Sequence, residues 1–242
     1  MRQRYGPHFH HFGDLYVPEG EGPFPVAVVL HGGFWREQHT LDLTDPLARD
    51  LAARGWAAWN VEFRRVGELS GGGYPRTLED VAEAIDALRT LDAPLDLSRV
   101  VGIGHSAGGQ LALWAAARPD AGVPLAGVVA QAGITDLRAA EHDPDGEDAI
   151  ALFAGGFAAD VPDRYADASP LERLPIGVPQ LLVHGTEDVR VPVDMSRRYA
   201  EAARAAGDEV ELVIRPGEDH FVHLDVAGGA WADVVGWLRR FG

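Results

Sequence analysis

Apolar runs alternate with amphipathic segments along most of this chain. "PVAVVLHG" (25–32), "WAAWNVEF" (56–63), "RVVGIG" (99–104), "LAGVVAQAG" (125–133), "VPQLLVHG" (178–185) and "EVELVIRP" (209–216) are short and rich in Val, Ile, Leu and Ala. Apolar runs of that length read as strands buried on both faces. Between them lie helical patterns. One spans about Thr44–Arg54, and a second, Leu78–Leu91, gathers Leu78, Val81, Ala82, Ile85 and Leu88 on one face. A third, Gln110–Arg118, stops at Pro119, and a fourth is marked by Met195, Tyr199, Ala202, Ala203 and Ala206. The last presents Trp231, Val234, Val235, Leu238 and Phe241 at helical spacing. Strands joined by helical crossovers predict an α/β fold: a mostly parallel central sheet with helices on both faces. Ligands bind at the carboxyl ends of such strands.

One segment breaks this rhythm. Residues 134–177 carry acidic residues, Pro and Gly, a short helical stretch near Glu147–Phe153 and no convincing strand. The stretch is too long for a routine connection and is expected to form a small cap insertion over the strand ends, within one domain spanning 1–242.

The third strand ends in chemistry. Gly104 and Gly108 flank Ser106 as G-x-S-x-G, "GHSAG", between a strand and a helix. In a nucleophile elbow the serine occupies a sharp, strained turn, and its neighbours must be small. With 29 glycines in 242 residues, chance alone would yield about 0.07 such matches, so the strand–turn–helix context carries the assignment.

A serine hydroxyl needs a base, and the base needs a carboxylate. In this arrangement the chain order is serine, acid, histidine. "HGTEDVRVP" places Glu187 and Asp188 after one strand, and "PGEDHFVHLD" places His220 and His223 after the next. Asp188 is preferred because the following "VRVP" turn can aim it across the sheet. His220 is preferred because His223 begins the run towards the last helix. Glu187 and His223 remain the alternatives. The oxyanion donors are expected at the main chain of Ala107, after the nucleophile, and of Gly33 and Phe34 in "LHGGFWRE". His105 neighbours the serine, His184 ends a strand, and neither is given a chemical role. His8, His10 and His11 form H-x-H-H, but no further ligands suggest a metal site, and no cofactor is expected. Aromatics usually belong to cores; the loop positions of Trp35, Tyr74 and Phe157 leave pocket lining open.

Composition narrows the partners. A net charge of −16 argues against nucleic acid and anionic membrane surfaces. There are no cysteines, which excludes disulfides, thiolate metal sites and a cysteine nucleophile. The N-terminus lacks the apolar stretch of a signal peptide, and no run is long enough to span a membrane. A cytoplasmic protein is expected; oligomeric state is not legible.

"HGGFW", "GHSAGG", "HGTEDVRVP" and "DHF" resemble the α/β-hydrolase superfamily over nearly the whole chain. The resemblance is to the branch of kynurenine formamidase-like and hormone-sensitive-lipase-like esterases. "VEFRR", "GGGYPRTLEDV" and "ASPLERL" are similar to that branch and to prolyl oligopeptidase-type catalytic domains. Phe34 stands where many lipase-like members have a third glycine. The resemblance implies a serine hydrolase of carboxylesterase type acting on small acyl or aryl esters, with arylformamidase or another small amide hydrolase as the alternative. A non-catalytic receptor or scaffold on the same fold is the remote alternative. No propeller is present in these residues, which points away from a gated oligopeptidase.

Overall fold

The strands divide their side chains between two separate cores. In the computed structural model, which describes residues 1–140 and 148–242, strand β3 (Phe24–Leu30) sends Val26, Val28 and Leu30 to one face and Ala27 and Val29 to the other. That period of two is the geometry of a pleated strand, and burial on both sides explains the unbroken apolar runs. The first core also takes Leu78, Val81 and Ile85 from helix α2 (Arg76–Asp86), Leu111 to Ala115 from α3 (Ala107–Ala116), and Met195 and Tyr199 from α6 (Val193–Ala205). The second is covered by α1 (Asp45–Ala53) and α7 (Gly229–Leu238), through Leu47, Leu51, Trp231 and Val234.

Eight strands form one sheet in the order β1-β2-β4-β3-β5-β6-β7-β8. From β4 to β8 every pairing is parallel: β4 (Ala57–Val61), β3, β5 (Leu95–His105), β6 (Gly127–Gln131), β7 (Gln180–Gly185) and β8 (Val210–Arg215). Strands β1 (Arg2–Arg4) and β2 (Phe12–Tyr16) add an antiparallel edge through β2–β4. The hydropathy pattern does not announce these two strands. β1 is three polar residues, and β2 buries only alternate positions, Gly13 and Leu15. The predicted strands and helices otherwise fall within a few residues of those observed. The third helix starts at Ala107 rather than near Gln110, directly after the serine. Phe241 lies beyond the end of α7 yet still packs on the second core.

Between β6 and β7, residues 134–177 form α4 (Ala149–Ala154), α5 (Pro162–Ala168) and a 3-10 turn, with no strand among the described residues. Glu147, at the start of the expected helical stretch, lies outside the described residues. Ile134, Leu137, Ile150, Phe153, Tyr165 and Ala168 join the first core. Phe153 stacks on Trp35 at 4.3 Å between centroids. The Trp35 indole donates to Gln110 Oε1 (3.1 Å), and Gln110 Nε2 donates to the Ala168 carbonyl (2.7 Å). Trp35 is therefore a core residue, tying the loop after β3 to α3 and α5.

Candidate active site

The serine sits where parallel pairing ends. Ser106 follows β5 immediately and has φ 57° and ψ −121°, a left-handed conformation that costs of order 1–3 kcal/mol in a non-glycine residue. The surrounding backbone holds it there: Ser106 N–H donates to the Gln131 carbonyl (2.9 Å), and its own carbonyl accepts from Gly109 (2.9 Å). The flanking glycines are required by contact. A Cβ on Gly104 would lie 2.0 Å from the Gly108 oxygen, and one on Gly108 would lie 2.1 Å from the Leu30 oxygen. Any side chain at either position would push α3 off β5 and β3, moving the turn itself. Ala107 is the first residue of α3, so its N–H has no intrahelical partner and is a donor at a positive helix end.

A carboxylate and an imidazole arrive from adjacent loops. Asp188, after β7, accepts from His220 Nδ1 at 2.7 Å; His220 follows β8. The other oxygen of Asp188 accepts backbone N–H bonds from Arg190 and Val191, both 2.8 Å. Burial alone would raise this carboxyl, but hydrogen bonds from His184 and His220 outweigh it and hold Asp188 well below the usual carboxylate range. His105 donates Nε2–H to the His220 carbonyl (2.8 Å), their rings 4.7 Å apart. Burial pushes His105 far down, so it is uncharged. Glu187 is exposed, and among the described residues its carboxylate accepts only from the neighbouring Thr186 hydroxyl. His223 is fully buried, and its ring nitrogens have no hydrogen-bond partner among the described residues.

Ser106 and His220 open on one cavity of about 250 Å³, whose described wall includes Gly33, Phe34, Leu43, Phe221 and Leu224 with Arg36 and Arg190. No hydrogen bond joins Ser106 to His220 among the described residues; such catalytic bonds often tighten only in the Michaelis complex. Gly33 (φ 107°) and Phe34 (φ 50°) turn the main chain at the cavity edge. None of the cavity's described wall residues comes from 134–177.

Three groups of residues escape sequence reading. His184 ends β7 and binds Asp188 at 3.0 Å; the "H" of "HGTED" is the only trace of it. Glu62 and Arg65, in "VEFRR", are buried and hold the loop after β3. Glu62 accepts from Leu41 N–H (3.2 Å) and from His31 Nε2 (3.3 Å), while Arg65 donates to the carbonyls of Glu37 (2.9 Å) and His39. Arg36, Arg190 and Leu224 on the cavity wall lie inside "LHGGFWRE", "HGTEDVRVP" and "PGEDHFVHLD" but carry no signal of their own, and Leu43 lies in no motif. The H-x-H-H histidines diverge. His8 Nδ1 accepts from His10 N–H, His10 faces Arg65, and His11 Nε2 bonds Asp80 (2.9 Å). Ligand atoms of His11, Asp80 and Glu83 lie within 4.8 Å of one another. Asp80, however, is already engaged by the Arg64 guanidinium (2.5 Å) and the Arg64 N–H (2.8 Å), a cation where a metal would need to sit.

A parallel sheet of this order, with a strained serine at the strand–helix turn and acid and histidine after the next strands, defines an α/β-hydrolase. The model of the prolyl oligopeptidase family matches residues 53–241, and the chain belongs to that family. It is 26% identical over 238 residues to the "putative carboxymethylenebutenolidase" of Methylorubrum extorquens, covering 93% of this chain and 75% of the relative. It is 25% identical over 237 residues to esterase LipC of Mycobacterium tuberculosis, covering 86% of this chain but only 55% of that protein. Among solved structures, Thermogutta terrifontis esterase 2, phosphonylated by sarin, superposes with a TM-score of 0.80 at 23% identity, covering 100% of this chain and 93% of that one. The protein is a serine hydrolase of carboxylesterase type, acting on ester or amide bonds. No helix among the described residues is long and apolar enough to cross a membrane.

Proposed function

We propose that Ser106 is the nucleophile, His220 the general base and Asp188 the orienting acid of a hydrolase for small carboxylic esters. The observation that carries this reading is the 2.7 Å bond from His220 Nδ1 to Asp188 at a cavity shared with Ser106. That bond leaves Nε2 to take the Ser106 proton as Oγ attacks the ester carbonyl. The developing oxyanion is met by N–H groups of Ala107 and of Gly33 or Phe34. Collapse expels the alcohol, which receives the proton from His220, and leaves an acyl-serine. Water, deprotonated by the same histidine, then releases the acid. A cavity of about 250 Å³ lies below the range of drug-sized sites and suits a short acyl or small aryl group. We read 134–177 as a cap that borders the strand ends, its described residues lying off the wall of this cavity.

A formyl amide is the second substrate class compatible with the triad, and "HGGFW" is the feature that favours it. Hydrolysis of 4-nitrophenyl acetate against that of N-formylkynurenine separates the two. A fluorophosphonate probe should label wild type and leave Ser106→Ala unlabelled. Full labelling of that variant would place the nucleophile elsewhere.

A further inference from the structure

Asp188 is held by two histidines. Its Oδ2 accepts from His220 Nδ1 (2.7 Å) and from His184 Nε2 (3.0 Å). His184 is wholly buried at the end of β7. Its Nε2 also meets the Val191 carbonyl (2.8 Å), and its Nδ1 meets Ser196 Oγ on α6 (2.7 Å). Both partners of Nε2 only accept, so Nε2 carries a proton; Nδ1 accepts from the Ser196 hydroxyl. The tautomer is fixed from both ends.

We propose that His184, anchored by Ser196, is a positioning residue of the hydrolytic site: it shares Oδ2 of Asp188 with His220, fixing the carboxylate and tempering the basicity that Asp188 confers on His220. The inference rests on the Ser106–His220–Asp188 reading. Its physical basis is competition at one oxygen. A carboxylate oxygen that already accepts one hydrogen bond stabilises a neighbouring imidazolium less than one that does not. A core histidine placed only for packing would not need its donor on the one oxygen that the base uses, since Oδ1 is served by two backbone N–H groups.

The surroundings of the pair are mostly uncharged or constant in the relevant pH range. His105 from β5 and His223, after β8, face it; burial drives both down, His223 to about 3. Glu218 and Asp219 precede His220, and Glu218 is paired with Arg215 of β8 (3.0 Å). Arg190 lies on the Asp188 loop. His223 is lowered in part by His184 itself, an effect lost in His184→Phe.

The test is the pH profile of kcat/KM for wild type, His184→Phe, His184→Gln and Ser196→Ala. Without the donor, the acid limb of His184→Phe should move up by roughly half to one pH unit. Its kcat should fall about 10-fold with KM nearly unchanged, because the carboxylate is less well aimed. Glutamine places an amide donor near the former Nε2 and should restore the limb and most of kcat. Ser196→Ala, a smaller change on α6, should move the limb in the same direction by less. An unmoved limb in folded His184→Phe overturns the proposal. If His184→Phe does not fold, an unmoved limb in Ser196→Ala overturns it instead. Probe labelling of Ser106→Ala separates the two ideas: if that variant labels, the triad reading itself has failed; if it does not, only the role of His184 is in question.

Discussion

Ser106 lies between two loops that are built in opposite ways. On the side of β7 and β8, the groups that matter are side chains, and side chains hold them: Ser196 to His184, His184 to Asp188, Asp188 to His220. On the side of β3, the proposed groups are the main-chain N–H donors of Gly33 and Phe34, and their loop is held from the end of β4 by a buried ion pair. Glu62 and Arg65, each about 2% exposed and 3.2 Å apart, bind the loop through the Leu41 N–H and the carbonyls of Glu37 and His39. Side-chain chemistry demands particular residue types at particular strand ends. A main-chain site demands only a backbone path, which residues far away can impose.

The contrast predicts different failures. At its centre, Ser106→Ala removes the group both loops serve, and turnover should drop on the order of 10⁶-fold with the fold intact. Steady-state kinetics alongside far-UV circular dichroism check this; substantial activity in the variant would remove the basis of the comparison. On the side-chain loop, Asp188→Asn should cost about 10⁴ in kcat, the loss a serine-protease triad suffers when its aspartate becomes asparagine, while Glu187→Gln should do little. The reversed order would make Glu187 the acid.

On the main-chain loop the expected loss is in stability as well as rate. Burial favours a protonated Glu62, but the His31 and Arg65 contacts and the Phe63 N–H keep it ionised, below its ordinary value. Glu62→Ala would leave Arg65 buried without its counter-charge, and breaking such a pair by one partner costs about 3–5 kcal/mol. Urea unfolding measures this directly. Asp188→Asn should show a far smaller stability change than Glu62→Ala; equal losses would erase the distinction between the loops.

The same distinction decides what the sequence reveals. Asp188 and His220, the proposed acid and base, stand out because each follows a strand, in that order, after "GHSAG". Gly104 and Gly108 are readable because close backbone approach excludes every other residue. Six of the eight strands are legible as apolar runs: β3 to β7 are largely buried, and the edge strand β8 still packs Val210, Leu212 and Val213 against the cores. β1 and β2 are not, since β1 is a polar edge strand and β2 buries only alternate positions. Glu62 and Arg65 look like ordinary surface charges in "VEFRR" until β4 is placed beside the β3 loop. His184 reads as the end of a strand because its role depends on a side chain from α6, twelve positions along the chain.

The smallest effect separates the two histidines of "DHFVH". His220 reaches the cavity; His223 does not, and no hydrogen bond reaches its ring among the described residues. Burial, followed by the charges of His184 and His220, lowers His223 from 6.5 to about 3. The sign follows from proton uptake. Below pH 6.5 the unfolded chain binds a proton at this position, whereas the folded chain does not until about pH 3. Stability is therefore fully present above pH 6.5 and is lost as pH falls towards 3, by up to about 1.4 kcal/mol per pH unit. The depressed Asp188 acts in the same sense only once pH falls below the ordinary carboxylate range. Replacing His223 with Met removes one titrating group and should flatten the slope of unfolding free energy between pH 6.5 and 4.5. His105 and His10, also depressed, keep the remainder. Because His223 is off the cavity wall, kcat near pH 7.5 should change less than threefold in His223→Met, whereas His220→Ala should lose nearly all turnover. An unchanged pH slope would show that His223 is charged in the folded protein, and a large loss of kcat would move it into the site beside His220.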